Sequence, residues 1–173
     1  MNEVYYISAT VAVISTLMVV TRLNAVHALL YFIVSLFSVA IIFFILGAPF
    51  VAALEVIIYA GAIMVLFVFV IMMLNLGSQA IQQEKQLFHP RTWMGPGILC
   101  LILLAELLYV VGINGRHLSG VKVVGPKQVG IVLFGPYLLG VELASLLLLV
   151  GLVGAYHLGR RRKDDVPQGG GTQ

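Results

Sequence analysis

Three carboxylates, Glu55, Glu106 and Glu142, stand inside apolar runs, and a phenol, Tyr59, follows the first of them by four residues. A charge near the centre of a bilayer costs at least ~2.5–3.5 kcal/mol on insertion scales, so such groups face protein, water or a counter-charge. Taken out of bulk water, a carboxyl group becomes able to exchange a proton near neutral pH. Proton transfer is therefore the chemistry these residue types support. The alternative is that each carboxyl is neutral and hydrogen-bonded, and joins one helix to another.

Residues four apart on a helix project from one face, so Glu55 and Tyr59 are neighbours, and Ala62 continues that face with a small side chain. A phenol there can donate to a carboxylate or to water, or it can pack with a single bond. The run Tyr59-Ala60-Gly61-Ala62 is where this helix deforms most easily, because glycine costs ~1 kcal/mol relative to alanine in a helix interior. A π-bulge, one extra residue in a turn, often marks a functional site. Relaxing such a bulge would turn Met64, Val65 and Phe67 by about one residue step, ~100°. The other reading of Gly61 is close helix packing.

Little else in the chain carries chemistry. His27, His89, His117 and His157 are scattered at or beyond helix ends, without metal-ligand spacing, and Cys100 is the single cysteine. No Gly-rich phosphate loop follows a strand. Redox and nucleotide chemistry is therefore expected on other polypeptides. The formal net charge is +3, and four of the ten Lys and Arg residues stand together in Arg160-Arg161-Arg162-Lys163. That cluster directly follows an apolar run, which points to retention on the cytoplasmic side rather than to nucleic acid.

These residues need apolar elements to hold them. The chain has 173 residues, 61% hydrophobic and 10% charged, with a mean hydropathy of +1.07. Soluble domains carry roughly a quarter charged residues, so the solvent for this chain is lipid. Apolar runs cover Val4–Val20, Ala25–Leu46, Phe50–Leu76, Met94–Gly112 and Tyr137–Leu158. They lack period-2 alternation and read as five transmembrane helices in an all-α bundle over 1–158, followed by a disordered polar tail over 159–173. With no basic leader, the first span is expected to be kept. Asn24 is placed to cap the second helix, Gly47-Ala48-Pro49 punctuates the second and third, and Trp93 is an interfacial anchor. Pro96 is expected in the first turn of the fourth helix. The polar link Gly77 to Thr92 and the long, glycine-rich link Ile113 to Pro136 complete the chain, the latter lying across the membrane surface or against a partner. Placing the C-terminus inside puts seven basic residues in the cytoplasm and three outside, which favours N-out, C-in. Glu55, Glu106 and Glu142 then all fall in the outer half of the membrane.

At these residues the sequence resembles the J-subunit family of bacterial NADH:quinone oxidoreductase, respiratory complex I, the counterpart of mitochondrial NADH dehydrogenase subunit 6. The resemblance covers nearly all five spans. It is carried most specifically by Ala53–Asn75, ALEVIIYAGAIMVLFVFVIMMLN, and Leu133–Ala155, LFGPYLLGVELASLLLLVGLVGA. Asn24-Ala25-Val26-His27-Ala28-Leu29-Leu30 is similar to the family's NPVHALL, with Ala25 where proline is usual, and Ala52 stands where glycine is expected. The resemblance implies a five-helix subunit that binds no redox cofactor, with FMN, iron–sulfur clusters and quinone on partner subunits. The expected partners are the neighbouring A, H, K and N membrane subunits and lipid, in a bacterial inner membrane. It also implies a third helix whose π-bulge can relax and so make or break a water chain. Tyr59 and Gly61 would mark the bulge, Val65 and Phe67 would be gate residues, and Glu55 and the VELAS glutamate, Glu142, would be polar groups on the path. Glu106 is not part of that pattern. Two other functions are compatible with the spans: a subunit of a related cation/proton antiporter or membrane-bound hydrogenase, and a stand-alone small transporter or membrane scaffold.

Overall fold

The fold was read from a computed structural model that describes residues 2–22, 24–74, 90–114 and 123–160. Among these the chain is helical, with no strand: α1 Asn2–Thr21, α2 Ala25–Ile45, α3 Pro49–Leu54, a π-helix Glu55–Ile63, α4 Met64–Leu74, α5 Pro90–Asn114, α6 Pro126–Leu133 and α7 Leu138–Gly159. Five stretches are long and apolar enough to cross a membrane: Glu3–Thr21, Ala25–Ile45, Pro49–Leu74, Trp93–Gly112 and Leu138–Gly159. The third runs through α3, the π-helix and α4 without a break. The chain is a multi-pass membrane protein. It divides into two compact units, Met1–Gly125 and Pro126–Gln173.

Three helices of the first unit share one pattern of buried positions. On α1 the buried stripe is Val4, Ser8, Val11 and Ser15; on α2 it includes Val34, Ser38, Ile41 and Ile45; on α5 it includes Leu103, Glu106 and Val110. Spacings of three and four residues keep these side chains on one face of each helix, as in left-handed helix packing. The apolar members form one core, Val4, Val11, Val34, Ile41, Ile45, Leu103 and Val110, with Phe44, Leu99 and Ile102 against it. Hydrogen bonds set the direction: Ser38 Oγ donates to the Ser8 carbonyl at 2.7 Å, and Ser35 Oγ meets Thr16 Oγ at 2.9 Å. As α1 advances α2 recedes, so the two are antiparallel neighbours, as their short link requires. The third span packs against α2.

Local signals explain the ends. The Asn24 side chain accepts from the backbone N–H of Val26 at 3.0 Å and of His27 at 3.4 Å, capping α2. At its other end Gly47 N–H donates to Phe44 O and Ala48 N–H to Phe43 O, a Schellman closure that needs a left-handed residue. Gly47 supplies it at φ 83°, and Pro49 then opens the third span at the helix start, where a missing N–H does no harm. The Gly47 carbonyl accepts from Val124 N–H at 2.9 Å, which holds the end of the long connection against the α2–α3 turn.

One expectation needs correction. Pro96 is not in a first turn: α5 begins at Pro90, so Pro96 lies inside the helix and removes one backbone bond there. The link between the fourth and fifth spans also holds a helix, α6, which is not among the helices expected from the sequence. In that second unit Gly135 separates α6 from α7. A Cβ there would stand 2.7 Å from the Ile131 carbonyl, so only glycine fits. Most of the polar link from Gly77 to Thr92 and the tail beyond Arg160 lie outside the described residues.

Candidate functional site

The third span carries the sequence-selected residues, and its middle is not an α-helix. Over Glu55–Ile63 the backbone is π-helical, and the Met64 N–H at its end reaches back to the Tyr59 carbonyl, five residues earlier. π geometry is rare because it widens the helix and loosens its packing, and it gathers at functional sites. Here the deformation extends well beyond Tyr59–Ala62, the stretch that glycine marks. A Cβ on Gly61 would stand 3.2 Å from the Val56 carbonyl, closer than ordinary contact.

Glu55 and Gly61 are half-buried, while Tyr59, Val65 and Phe67 are exposed. Within this span the buried side chains are Ala52, seated before the π segment, and Met64, directly after it and 0% exposed. The two anchors bracket the deformable turns. A one-residue slip in the π segment would leave Ala52 in place and rotate everything from Met64 onward by ~100°. The span thus runs from a start with Ala52 buried, through a π-helical middle without a buried residue, to a restart with Met64 buried. Glu142 lies in the second unit, exposed on α7; its carbonyl accepts from Ser145 Oγ at 2.8 Å.

The carboxyl with the most developed surroundings is Glu106, which sequence reading left outside the site. It is 7% exposed and sits among the apolar core of α1, α2 and α5. Ser8 Oγ donates to Glu106 Oε2 at 2.8 Å, and Ser38 Oγ donates to the Ser8 carbonyl. Three helices are thus linked in one polar layer, with valine, leucine and isoleucine above and below. The other oxygen, Oε1, is buried without a hydrogen-bond partner among the described residues, as is Ser15 Oγ. Leaving such a group unsatisfied costs about 1–3 kcal/mol. The available sequence signal was the serine placement on α1: Ser8 and Ser15, seven apart, on the face that Val4 and Val11 mark as inward.

At the far end of the same unit Tyr31 is buried, with the Arg22 guanidinium 5.5 Å from its ring centroid. Its hydroxyl packs on Gly95, where any Cβ would collide with it. Among the described residues no group of three His, Cys, Asp or Glu side chains could hold a metal ion.

Comparison with known proteins places this geometry in context. Residues 15–158 match the family model described as NADH-ubiquinone/plastoquinone oxidoreductase chain 6. Over 164 residues the chain is 53% identical to NADH-quinone oxidoreductase subunit J of Escherichia coli (strain K12), covering 94% of this chain and 89% of the relative. It is 56% identical to the Pseudomonas aeruginosa subunit J over 165 residues, covering 93% and 98%. The subunit J of Buchnera aphidicola subsp. Schizaphis graminum is 53% identical over 163 residues, covering 94% and 100%.

Proposed function

We infer function from one premise: this chain belongs to the NADH-ubiquinone/plastoquinone oxidoreductase chain 6 family. It is a membrane subunit of an NADH-quinone oxidoreductase, and its partners are other subunits of that complex. Beyond that, we propose that the chain holds no redox centre itself, with FMN, iron–sulfur clusters and quinone carried by partner subunits. Its third span couples quinone reduction to proton translocation in a bacterial inner membrane. The chain contacts the A, H, K and N membrane subunits there.

The observation that carries this reading is the π-helix over Glu55–Ile63, which places Glu55, Tyr59 and Gly61 in one loose segment between two buried anchors. A carboxyl and a phenol on neighbouring turns can pass or orient a proton through water. Apolar Val65 and Phe67, just past the segment, turn with it when its register changes. Bulky apolar side chains entering a polar path interrupt the water chain, and leaving it they restore the chain. Within the second unit, Glu142 on α7 is a separate candidate for a polar group in proton movement.

The test is the intact complex reconstituted in vesicles, with proton pumping measured per NADH oxidised. Gly61→Leu fills the tight point of the π turn, and Tyr59→Phe removes the hydroxyl without changing the ring. Both should lower pumping or quinone-linked turnover several-fold while the complex still assembles. Wild-type pumping in both variants would remove the gate from this helix.

A further inference from the structure

The polar layer in the first unit does something a simple tie between helices would not require. Joining α5 to α1 takes one acceptor for Ser8 Oγ, and Glu106 Oε2 provides it at 2.8 Å. A carboxyl brings a second oxygen into an apolar core, and that oxygen, Oε1, is buried with no partner among the described residues. Ser15 Oγ, seven residues from Ser8 along α1 and about 10 Å away by helix rise, is a second buried oxygen in the same condition. Beside it, Thr16 and Ser35 form a third polar point where α1 meets α2. Buried oxygens thus recur along α1, at Ser8 and Ser15, in a unit that valines and isoleucines otherwise fill. Water is the small ligand whose chemistry suits such an oxygen, because it both donates and accepts.

We propose that Glu106 is a buried proton-exchange site: Oε1 binds an internal water, and the carboxyl proton passes to and from that water while Ser8 fixes Oε2. The proton leaving Oε1 goes to the water, and the reverse step restores the carboxylic acid, so no other reactant is needed. Among the described residues the titratable side chains on the elements packed here are Glu3, Tyr5 and Tyr6 on α1, all exposed; His27 and Tyr31 on α2; Cys100 and Tyr109 on α5, both exposed; and Glu55 and Tyr59 on the third span. The buried stripe of α1 is Val4, Ser8, Val11 and Ser15; on α2 Tyr31 is buried, and His27 is half-buried with its Nε2 enclosed near the start of the helix. Tyr31 packs at Gly95, eleven residues along α5 from Glu106 and about 16 Å away by helix rise. Tyr109, on α5 itself, is exposed. Glu55 and Tyr59 belong to the third span, which packs on α2.

Infrared difference spectra of the intact oxidoreductase, recorded as a function of pH in H2O and in D2O, test this directly. The expected result is a carboxyl C=O band that titrates and shifts in D2O. That band should be lost in Glu106→Gln, where the amide oxygen still accepts from Ser8, and displaced in Ser8→Ala. A Glu106→Gln spectrum superimposable on wild type overturns the proposal. So does a band that disappears with Glu106 but neither titrates nor exchanges, because the group is then a fixed tie. If Glu106→Gln prevents assembly, Ser8→Ala decides alone: displacement of a titrating band supports the site, and an unchanged spectrum overturns it. The proposal stands apart from the reading of the π segment. Gly61→Leu and Tyr59→Phe should leave the Glu106 band in place, so the two can fail separately.

Discussion

A single hydrogen bond or a single missing Cβ decides whether these helices can meet. Gly95 is the sharpest case. The Tyr31 hydroxyl occupies the space a side chain at 95 would need, while a Cβ at Gly97, two residues on, meets nothing within 4 Å. Gly95→Val should therefore cost about 1–3 kcal/mol through overpacking, read as a lower melting temperature of the complex. Gly97→Ala should be neutral or stabilising by up to about 1 kcal/mol, since alanine is the better helix former. Equal losses in both variants would mean that glycine matters in α5 for flexibility and not for Tyr31. At this scale the sequence was legible where a residue has a strong local role, as with Asn24 capping α2. It was illegible for Glu106, Ser8 and Ser38, which lie on three different helices. The spacing of Ser8 and Ser15 with Val4 and Val11 marks a shared face of α1, but only the mutual register of the helices brings Ser8, Glu106 and Ser38 to one depth.

The spans themselves were easy to read, because an apolar run either is or is not long enough for a bilayer. Their interiors were harder. Gly61 marks where the third span weakens, yet π geometry begins six residues before it, at Glu55. No residue type in Glu55–Ile58 signals that, since the extra width is shared along the backbone and balanced by packing at both ends. Met64 is the anchor at the far end, fully buried where its neighbours Val65 and Leu66 are exposed. Truncating a buried methionine costs about 2–5 kcal/mol when the cavity persists. In Met64→Ala the helix can escape part of that cost by giving up the π turn and rotating α4. The expected outcome is a structure of the variant complex with α-helical geometry through 55–63, together with altered proton pumping. Retention of the π segment with the full loss of stability would show that Met64 packs the span without holding its register.

The whole molecule bears on what it must be joined to. Within the Met1–Gly125 unit, α1, α2 and α5 enclose a core, but the third span contributes only Ala52 and Met64 to the buried set. Its remaining surface, including Ile57, Tyr59, Val65, Phe67 and Phe69, is apolar and broad. Lipid can cover such a face, but lipid gives no reason for a half-buried carboxylate and a phenol to sit on a loosened helix in its midst. A protein neighbour that presents polar groups or water to Glu55 and Tyr59 does. The prediction is that the tagged chain, expressed with the other subunits of the complex and extracted in mild detergent, co-purifies with flavin- and iron–sulfur-bearing subunits and with NADH:quinone activity. Expressed alone, it should show no NADH oxidation and a lower thermal stability than within the complex. A stable homo-oligomer of this chain, isolated from cells that also make the partners and lacking NADH activity, would contradict the coupling role. The Glu55–Tyr59 face would then belong to a self-contained transporter.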